Sequence, residues 1–426
     1  MLLVFIIICG VIFAIGSIIA YKKILNPIFI ILTWYIVGAV ISHSGILGMY
    51  KPGSGSTEFI LINILVLCFS FFIISSIKTY KTFRILNGFS AKKVEKVFSI
   101  MRISSFFTQS IIALNLILLI IKGRIDISSI RLIVYSLAYD SDKYTMIFFN
   151  AFIYNIFNFF IKGFILFDAS LSLCEFVTED KKIRKISLIN LLLYCFIILS
   201  RIEILRIIII FSLIMIFNNY FNINKKSRKG SYKSIIIFFI IAMIITFSFR
   251  TSSGESVILT SINELIISLT GSYVVFGNFF TSYLNGLRLI DSNIFKILIG
   301  GLEPVFYSLF KIIGIIIELP TSTLNEYISP GTNIGASDHY NAFYTMYYNF
   351  LSGGGFTGVL IATIILGIVL AMLYKSCIRL KNSQALLIFV FLLHIIILGS
   401  IRWELSTFSI WVMFILTILN YIKRKT

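Results

Sequence analysis

Residues 186–218 read ISLINLLLYCFIILSRIEILRIIIIFSLIMIFN, a largely apolar run of 33 residues cut near its middle by Ser200, Arg201, Glu203 and Arg206. As one α-helix at 1.5 Å per residue it would be about 50 Å long, against a hydrocarbon core of roughly 30 Å. Two shorter spans meeting near Ser200 fit better. Basic segments at 181–185 and 225–233 bracket the run, and two crossings return the chain to the side it left. Arg201 and Arg206, one and a half turns apart, are therefore expected at or just below the opposite surface.

The same alternation of apolar runs and short basic segments extends in both directions. The chain has 426 residues, 58% of them hydrophobic and 13% charged, with a mean hydropathy of +0.98. Such a composition lies far outside that of soluble domains and describes a multispanning membrane protein. Spans are expected at about 2–20, 26–42, 59–77, 98–121, 145–177, the two halves of 186–218, 234–249, 356–374, 384–400 and 404–420. The expected fold class is an all-α polytopic membrane protein with about 11 transmembrane helices, forming a single domain over 1–426.

The net charge of +19 raises the question of nucleic acid, since basic patches bind phosphate backbones. The distribution answers it. Of 37 Lys and Arg residues, 23 lie at 22–23, 78–96, 181–185, 225–233, 375–381 and 423–425, and positive residues in alternate loops mark the cytoplasmic side. No nucleic-acid partner is expected. The N-terminus then lies outside and the C-terminus in the cytoplasm. Residues 1–20 lack a basic leader and a small-residue cleavage site, so they are read as a retained span. The five cysteines lie in or beside apolar runs without CxxC spacing and are read as packing residues.

The longest run that does not read as membrane is 250–355. It is expected to hold a large outer loop over 250–340 with amphipathic or re-entrant helices. Residues 294–319 are apolar enough to suggest another span, but one more crossing would put the last basic segments outside. A helix lying against the membrane or dipping into it keeps the charge rule intact.

With this topology Arg201, Arg206, Arg250, Arg288 and Arg402 share the outer side. One reading is snorkelling from helix ends, with Glu203, Glu255 and Glu404 as partners. The other is a phosphate site, because guanidinium groups hold oxyanions in bidentate geometry and keep their charge at any working pH. A lipid-linked diphosphate in the outer leaflet presents its phosphates at that depth, and the arginines would stabilise it as it leaves. The outer segments carry no paired Asp-rich motif; Asp140-Ser141-Asp142 has the letters but no second cluster. Neither a metal nor a cofactor is expected.

Of three histidines, His394 lies within an apolar run and reads as a packed residue, and His43 as a solvated one at a helix end. His339 stands in Asn333-Ile-Gly-Ala-Ser-Asp-His-Tyr-Asn341, polar residues just before the chain re-enters the membrane. A histidine near neutral pKa can accept a proton from an attacking sugar hydroxyl or orient it; as a plain loop residue it would cap the next helix. The candidate catalytic residues are His339, Arg250 and Arg288. The candidate substrate-binding residues are Arg201, Arg206, Arg402, Asp338, Tyr340 and Asn341. Tyr273, Tyr283, Tyr340 and Tyr344 are candidates for stacking on sugar faces. Gly353-Gly354-Gly355 and Gly358 allow close helix approach or a helix break; they are not a phosphate loop, since GxxxxGK[ST] does not occur.

Asp338-His339-Tyr340-Asn341-Ala342-Phe343, followed by Tyr348-Asn349-Phe350-Leu351-Ser352-Gly353-Gly354-Gly355-Phe356-Thr357-Gly358, is similar to the His-Asn and Gly-x-x-Gly pattern of the bacterial O-antigen polymerase and O-antigen ligase group. Ser200-Arg201 resembles that group's Ser/Gly-Arg pair, and the order of features resembles its layout. Asn349 departs from the pattern where many members carry an acidic residue. The resemblance implies a membrane glycosyltransferase (GT-C-like) architecture in the bacterial inner membrane. It also implies polymerisation of undecaprenyl-diphosphate-linked repeat units at the periplasmic face, and a polysaccharide chain-length regulator as partner. The modest outer loop and single loop histidine favour polymerase over ligase. A flippase for the same lipid-linked sugars is the rival; it predicts related halves and broken midplane helices, and the chain shows no such repeat.

Overall fold

The computed structural model describes residues 1–77, 91–126, 129–135, 141–199, 201–224, 257–290, 294–312, 314, 320–328, 330–335, 339–340 and 344–422. Apart from one two-residue ladder, these residues are helical where they are regular. They fall into two units interleaved along the chain. One comprises Met1–Thr82, Ile262–Arg379 and Leu392–Phe408, and the other Phe83–Ser261, Leu380–Phe391 and Ser409–Thr426.

The first unit opens with α1 (Leu2–Tyr21), α2 (Pro27–His43) and α3 (Ser56–Ser76). Asn26 starts α2 by accepting the Phe29 amide at 3.0 Å, with Pro27 in the first turn where its missing N–H costs nothing. Ser17 of α1 donates to the same Asn26 oxygen at 3.1 Å, tying the first hairpin together.

The second unit begins with α4 (Ala91–Ile121), two short helices α5 (Ile130–Tyr135) and α6 (Ser141–Phe148), and α7 (Ala151–Ile156). A five-residue π turn, Phe157–Ile161, carries α7 into α8 (Lys162–Glu179), at the point where the sequence breaks its apolar run. Then follow α9 (Lys185–Ile198) and α10 (Arg201–Phe221), separated by Leu199 in the left-handed region, so the 186–218 run does divide near Ser200. Asp168, 1% exposed, fastens this unit. Arg102 of α4 grips it with Nε at 2.8 Å and Nη2 at 2.5 Å, and Ser187 of α9 donates to it at 2.5 Å.

The first unit resumes with α11 (Val257–Leu284), α12 (Ile294–Leu298), α13 (Glu303–Ile312) and α14 (Pro320–Ile328), and then the ladder of β1 (Thr332–Asn333) and β2 (His339–Tyr340). α15 (Met346–Leu380), α16 (Ser383–Leu398) and α17 (Phe408–Ile422) complete the chain. Gly53 and Gly277 let the α2–α3 loop cross α11 backbone to backbone: a Cβ on Gly53 would stand 2.8 Å from the Gly277 oxygen. Gly367 likewise seats α15 on α3 at Leu67, Ser70 and Phe71.

The chain is a multi-pass membrane protein, but the expected 11 spans are corrected. Among the described residues six helices are long and apolar enough to cross a membrane: Leu2–Tyr21, Ser56–Ser76, Lys92–Ile121, Ala151–Glu179, Ile202–Phe221 and Met346–Leu380. Four expected spans form helices of 14 to 17 residues, about 21–26 Å at 1.5 Å per residue and so short of a core of roughly 30 Å. The expected span at 234–249 lies outside the described residues. A GT-C-like arrangement built on 11 spans falls with that count. Within the segment expected to hold amphipathic or re-entrant helices, Val257–Leu284 form the 28-residue α11.

Candidate functional site

Arg288 is set by the way α11 ends. The Leu287 amide reaches back to the Ser282 carbonyl and the Gly286 amide to Tyr283, with Gly286 at φ 101°; this pair of bonds around a left-handed glycine is the Schellman stop. Arg288 then folds over the helix end. Its Nη1 donates to the Tyr283 and Leu287 carbonyls at 2.9 and 2.8 Å, and its Cζ lies 4.0 Å from the centre of the Tyr283 ring. A cation at a helix C-terminus and over an aromatic face is favoured on both counts. The side chain is exposed, and no carboxylate among the described residues pairs with it. Its remaining N–H groups are available to an oxyanion.

Tyr283 is itself held by the break in α15. Gly355 has φ 60° and ψ −161°, a conformation essentially reserved for glycine, and the Tyr283 hydroxyl lies 3.2 Å from where its Cβ would stand. The Phe356 ring meets Tyr283 edge-on at 5.9 Å. The rest of the glycine run is a seat: α12 lays Ile297 against Gly353, and Ile294 against Gly354 and Gly358. Trp403, 1% exposed, locks α12 from the other side by donating to the Ile297 carbonyl at 3.2 Å. Arg402, beside it, forks onto Glu404 with Nε at 2.9 Å and Nη2 at 3.4 Å.

The ladder places the backbone of His339 opposite Asn333 and that of Tyr340 opposite Thr332. Met49 bridges to Gly335, and the Tyr50 amide donates to the Ile334 carbonyl at 2.6 Å, so the α2–α3 loop supports this hairpin. Thr332 shares a hydrogen bond with Tyr344; burial nevertheless pushes the Tyr344 hydroxyl above the ordinary tyrosine range and keeps it protonated. Asp338, Asn341 and Arg250 lie outside the described residues.

In the second unit Arg206 is 0% exposed and paired with Glu203, one turn before it and equally buried. Lys162, at the end of the π turn, adds a second cation to Glu203 at 2.7 Å. Two of the carboxylates named as plain partners, Glu203 and Glu404, do meet arginines. Arg201 opens α10. Arg288, Arg402 and the His339–Tyr340 strand thus belong to one unit, and Arg201 and Arg206 to the other.

No family model, curated protein or solved structure matches this chain. The expected GT-C-like fold therefore has no structural relative behind it, and the O-antigen resemblance rests on the quoted motifs and the order of features along the sequence.

The expected sugar-stacking tyrosines are placed differently from one another. Tyr273 is 0% exposed and donates its hydroxyl to the Tyr35 carbonyl at 3.4 Å, and Tyr283 carries the Arg288 guanidinium on its ring. Tyr344 is buried against Tyr348, ring centres 4.5 Å apart. The structural residues that sequence reasoning passed over are Trp403 and Glu303, whose Oε2 accepts the Thr321 amide at 2.9 Å and so caps the first turn of α14. A Glu-Pro pair opening a helix was the available signal for Glu303; nothing local signals Trp403, whose partner is 106 residues away.

Proposed function

We propose that this chain polymerises undecaprenyl-diphosphate-linked oligosaccharide repeat units into a surface polysaccharide in the bacterial inner membrane, by glycosyl transfer that needs no metal or cofactor. The observation that carries the reading is Arg288: an exposed guanidinium, anchored on Tyr283 and two carbonyls and facing no described carboxylate. That is the state of an oxyanion receptor organised before its ligand arrives. By contrast, Arg206 and Arg402 already hold carboxylates and serve the diphosphate only if those pairs open.

In the reaction, a hydroxyl at the non-reducing end of one lipid-linked repeat attacks the anomeric carbon of the growing chain. The bond from that carbon to the diphosphate oxygen breaks, undecaprenyl diphosphate leaves with the bonding pair, and His339 takes the hydroxyl proton. Arg288 and Arg250 stabilise the departing charge, while Asp338, Tyr340 and Asn341 bind the substrate. The anomeric configuration inverts. The basic segments face the cytoplasm, with the C-terminus among them, and the N-terminus and the site face the periplasm. A chain-length regulator is the expected protein partner.

The test is purified protein in lipid nanodiscs given labelled lipid-linked repeats, without nucleotide sugar or ATP. A ladder of lengthened glycans is expected. Repeats that stay at one length defeat the reading, and their transfer across proteoliposomes without lengthening would establish the flippase instead.

A further inference from the structure

Four rings of the first unit form a fixed aromatic stack. Tyr348, fully buried, donates its hydroxyl to the Leu324 carbonyl of α14 at 2.9 Å. Tyr344 packs on it at 4.5 Å and Phe279 meets it edge-on at 4.6 Å. Tyr327 completes the stack, nearly parallel to Tyr348 at 18° with centres 6.3 Å apart, and 6.1 Å from Phe279. Only this last ring is open to solvent, at 38%. Thr323, one helical turn earlier on the same side of α14, is exposed as well.

The stack is tied to the hairpin that bears His339. α14 passes into β1 through Gly331, whose amide donates to the Ile328 carbonyl at 2.9 Å, and Tyr344 is hydrogen-bonded to Thr332 of β1. A large ring pinned from behind and exposed in front loses little freedom when something covers it, so it is a ready binding surface. Its face is electron-rich and flat. A pyranose ring presents C–H bonds of opposite polarity across one flat face, with hydroxyls at the rim for a group such as Thr323.

We propose that Tyr327 is a carbohydrate platform that seats a pyranose of the glycan beside the His339 strand. Its identity as the acceptor-sugar subsite rests on the polymerase reading; the binding itself does not.

The probe is the glycan released by mild acid from the lipid-linked pool of the cells that express this chain, added to protein in nanodiscs and followed by saturation-transfer NMR. Wild-type protein is expected to saturate C–H protons of one sugar. Tyr327→Ala should weaken binding about tenfold, or about 1.4 kcal/mol, and Tyr327→Phe should restore it to within about twofold. If Tyr327→Ala fails to fold, Thr323→Arg, which covers the ring from the solvent side, must abolish binding at an unchanged melting temperature. Unaltered binding in a folded Tyr327→Ala or Thr323→Arg protein, equal losses in Ala and Phe variants, or no binding by wild type overturns the proposal. His339→Ala separates the two claims: it should stop elongation and leave the NMR signal intact. Elongation by wild type with an unaffected Tyr327→Ala sinks the platform alone, whereas Tyr327-dependent binding in a protein that elongates nothing sinks the polymerase alone.

Discussion

Asp168 shows what a single charge inside this protein does. With Arg102 bidentate and Ser187 donating, its carboxylate is satisfied where water does not reach. Asp168→Asn should cost about 3–5 kcal/mol, because it leaves the half-buried guanidinium without its counter-charge. The double variant Asp168→Leu with Arg102→Met should recover most of that loss. Denaturant unfolding of the detergent-solubilised protein measures both; a double variant as unstable as the single one would mean that packing, not charge, is the cause. Arg288 obeys a different logic, since nothing anionic is lost with it. Arg288→Lys keeps the charge but gives up the planar fork and the stacking on Tyr283, so elongation should fall about 10²–10³-fold at an unchanged melting temperature. The sequence made such residues visible as charges in apolar surroundings and named Glu203 and Glu404 as partners. It did not separate the paired arginines from Arg288, because pairing depends on rotamers and on which helix end folds back.

Helices whose boundaries are set locally were legible. The span expected at about 26–42 is α2, and Ser200 marked the break between α9 and α10. α11 was legible only as one of the amphipathic or re-entrant helices of the outer segment, because its glycines, asparagines and serines obscure its 28-residue length. Those small residues are instead what let it pack, with Gly277 meeting Gly53 and Thr270 to Phe276 buried. The hairpin of His339 was equally hidden, because its pairing partner is set by the chain's return and not by spacing. The glycine run was read as allowing close approach or a break, and it serves both ends: Gly355 breaks α15 and Gly353 seats α12. Gly353→Ala should therefore displace Ile297 and destabilise by about 1–3 kcal/mol, as overpacking does. Adding Ile297→Val, which trims the side chain at that contact, should return part of the loss. Thermal unfolding of the two variants checks this, and additive losses would show that Ile297 is not what the new methyl meets.

The two units interleave along the chain, with α16 divided between them at residue 392. No periodicity or composition shift announces such a division, since both units are equally apolar and the boundaries at 262, 380, 392 and 409 fall inside helices. What the whole chain does carry is a charge asymmetry, and it yields the most direct test of orientation. Cys68, Cys174, Cys195 and Cys377 are buried and Cys9 is half-buried, so a membrane-impermeant maleimide meets little native thiol. A cysteine introduced at exposed Lys182 samples the basic segment between α8 and α9, and one at exposed Arg288 samples the end of α11. Positive segments are retained on the cytoplasmic side, so position 288 should label in intact cells, and position 182 only after the membrane is opened. Labelling of 288 solely in opened cells would put the guanidinium on the ATP side. A lipid carrier that delivers its diphosphate to the outer leaflet would then never reach Arg288, and the proposed chemistry would have no substrate.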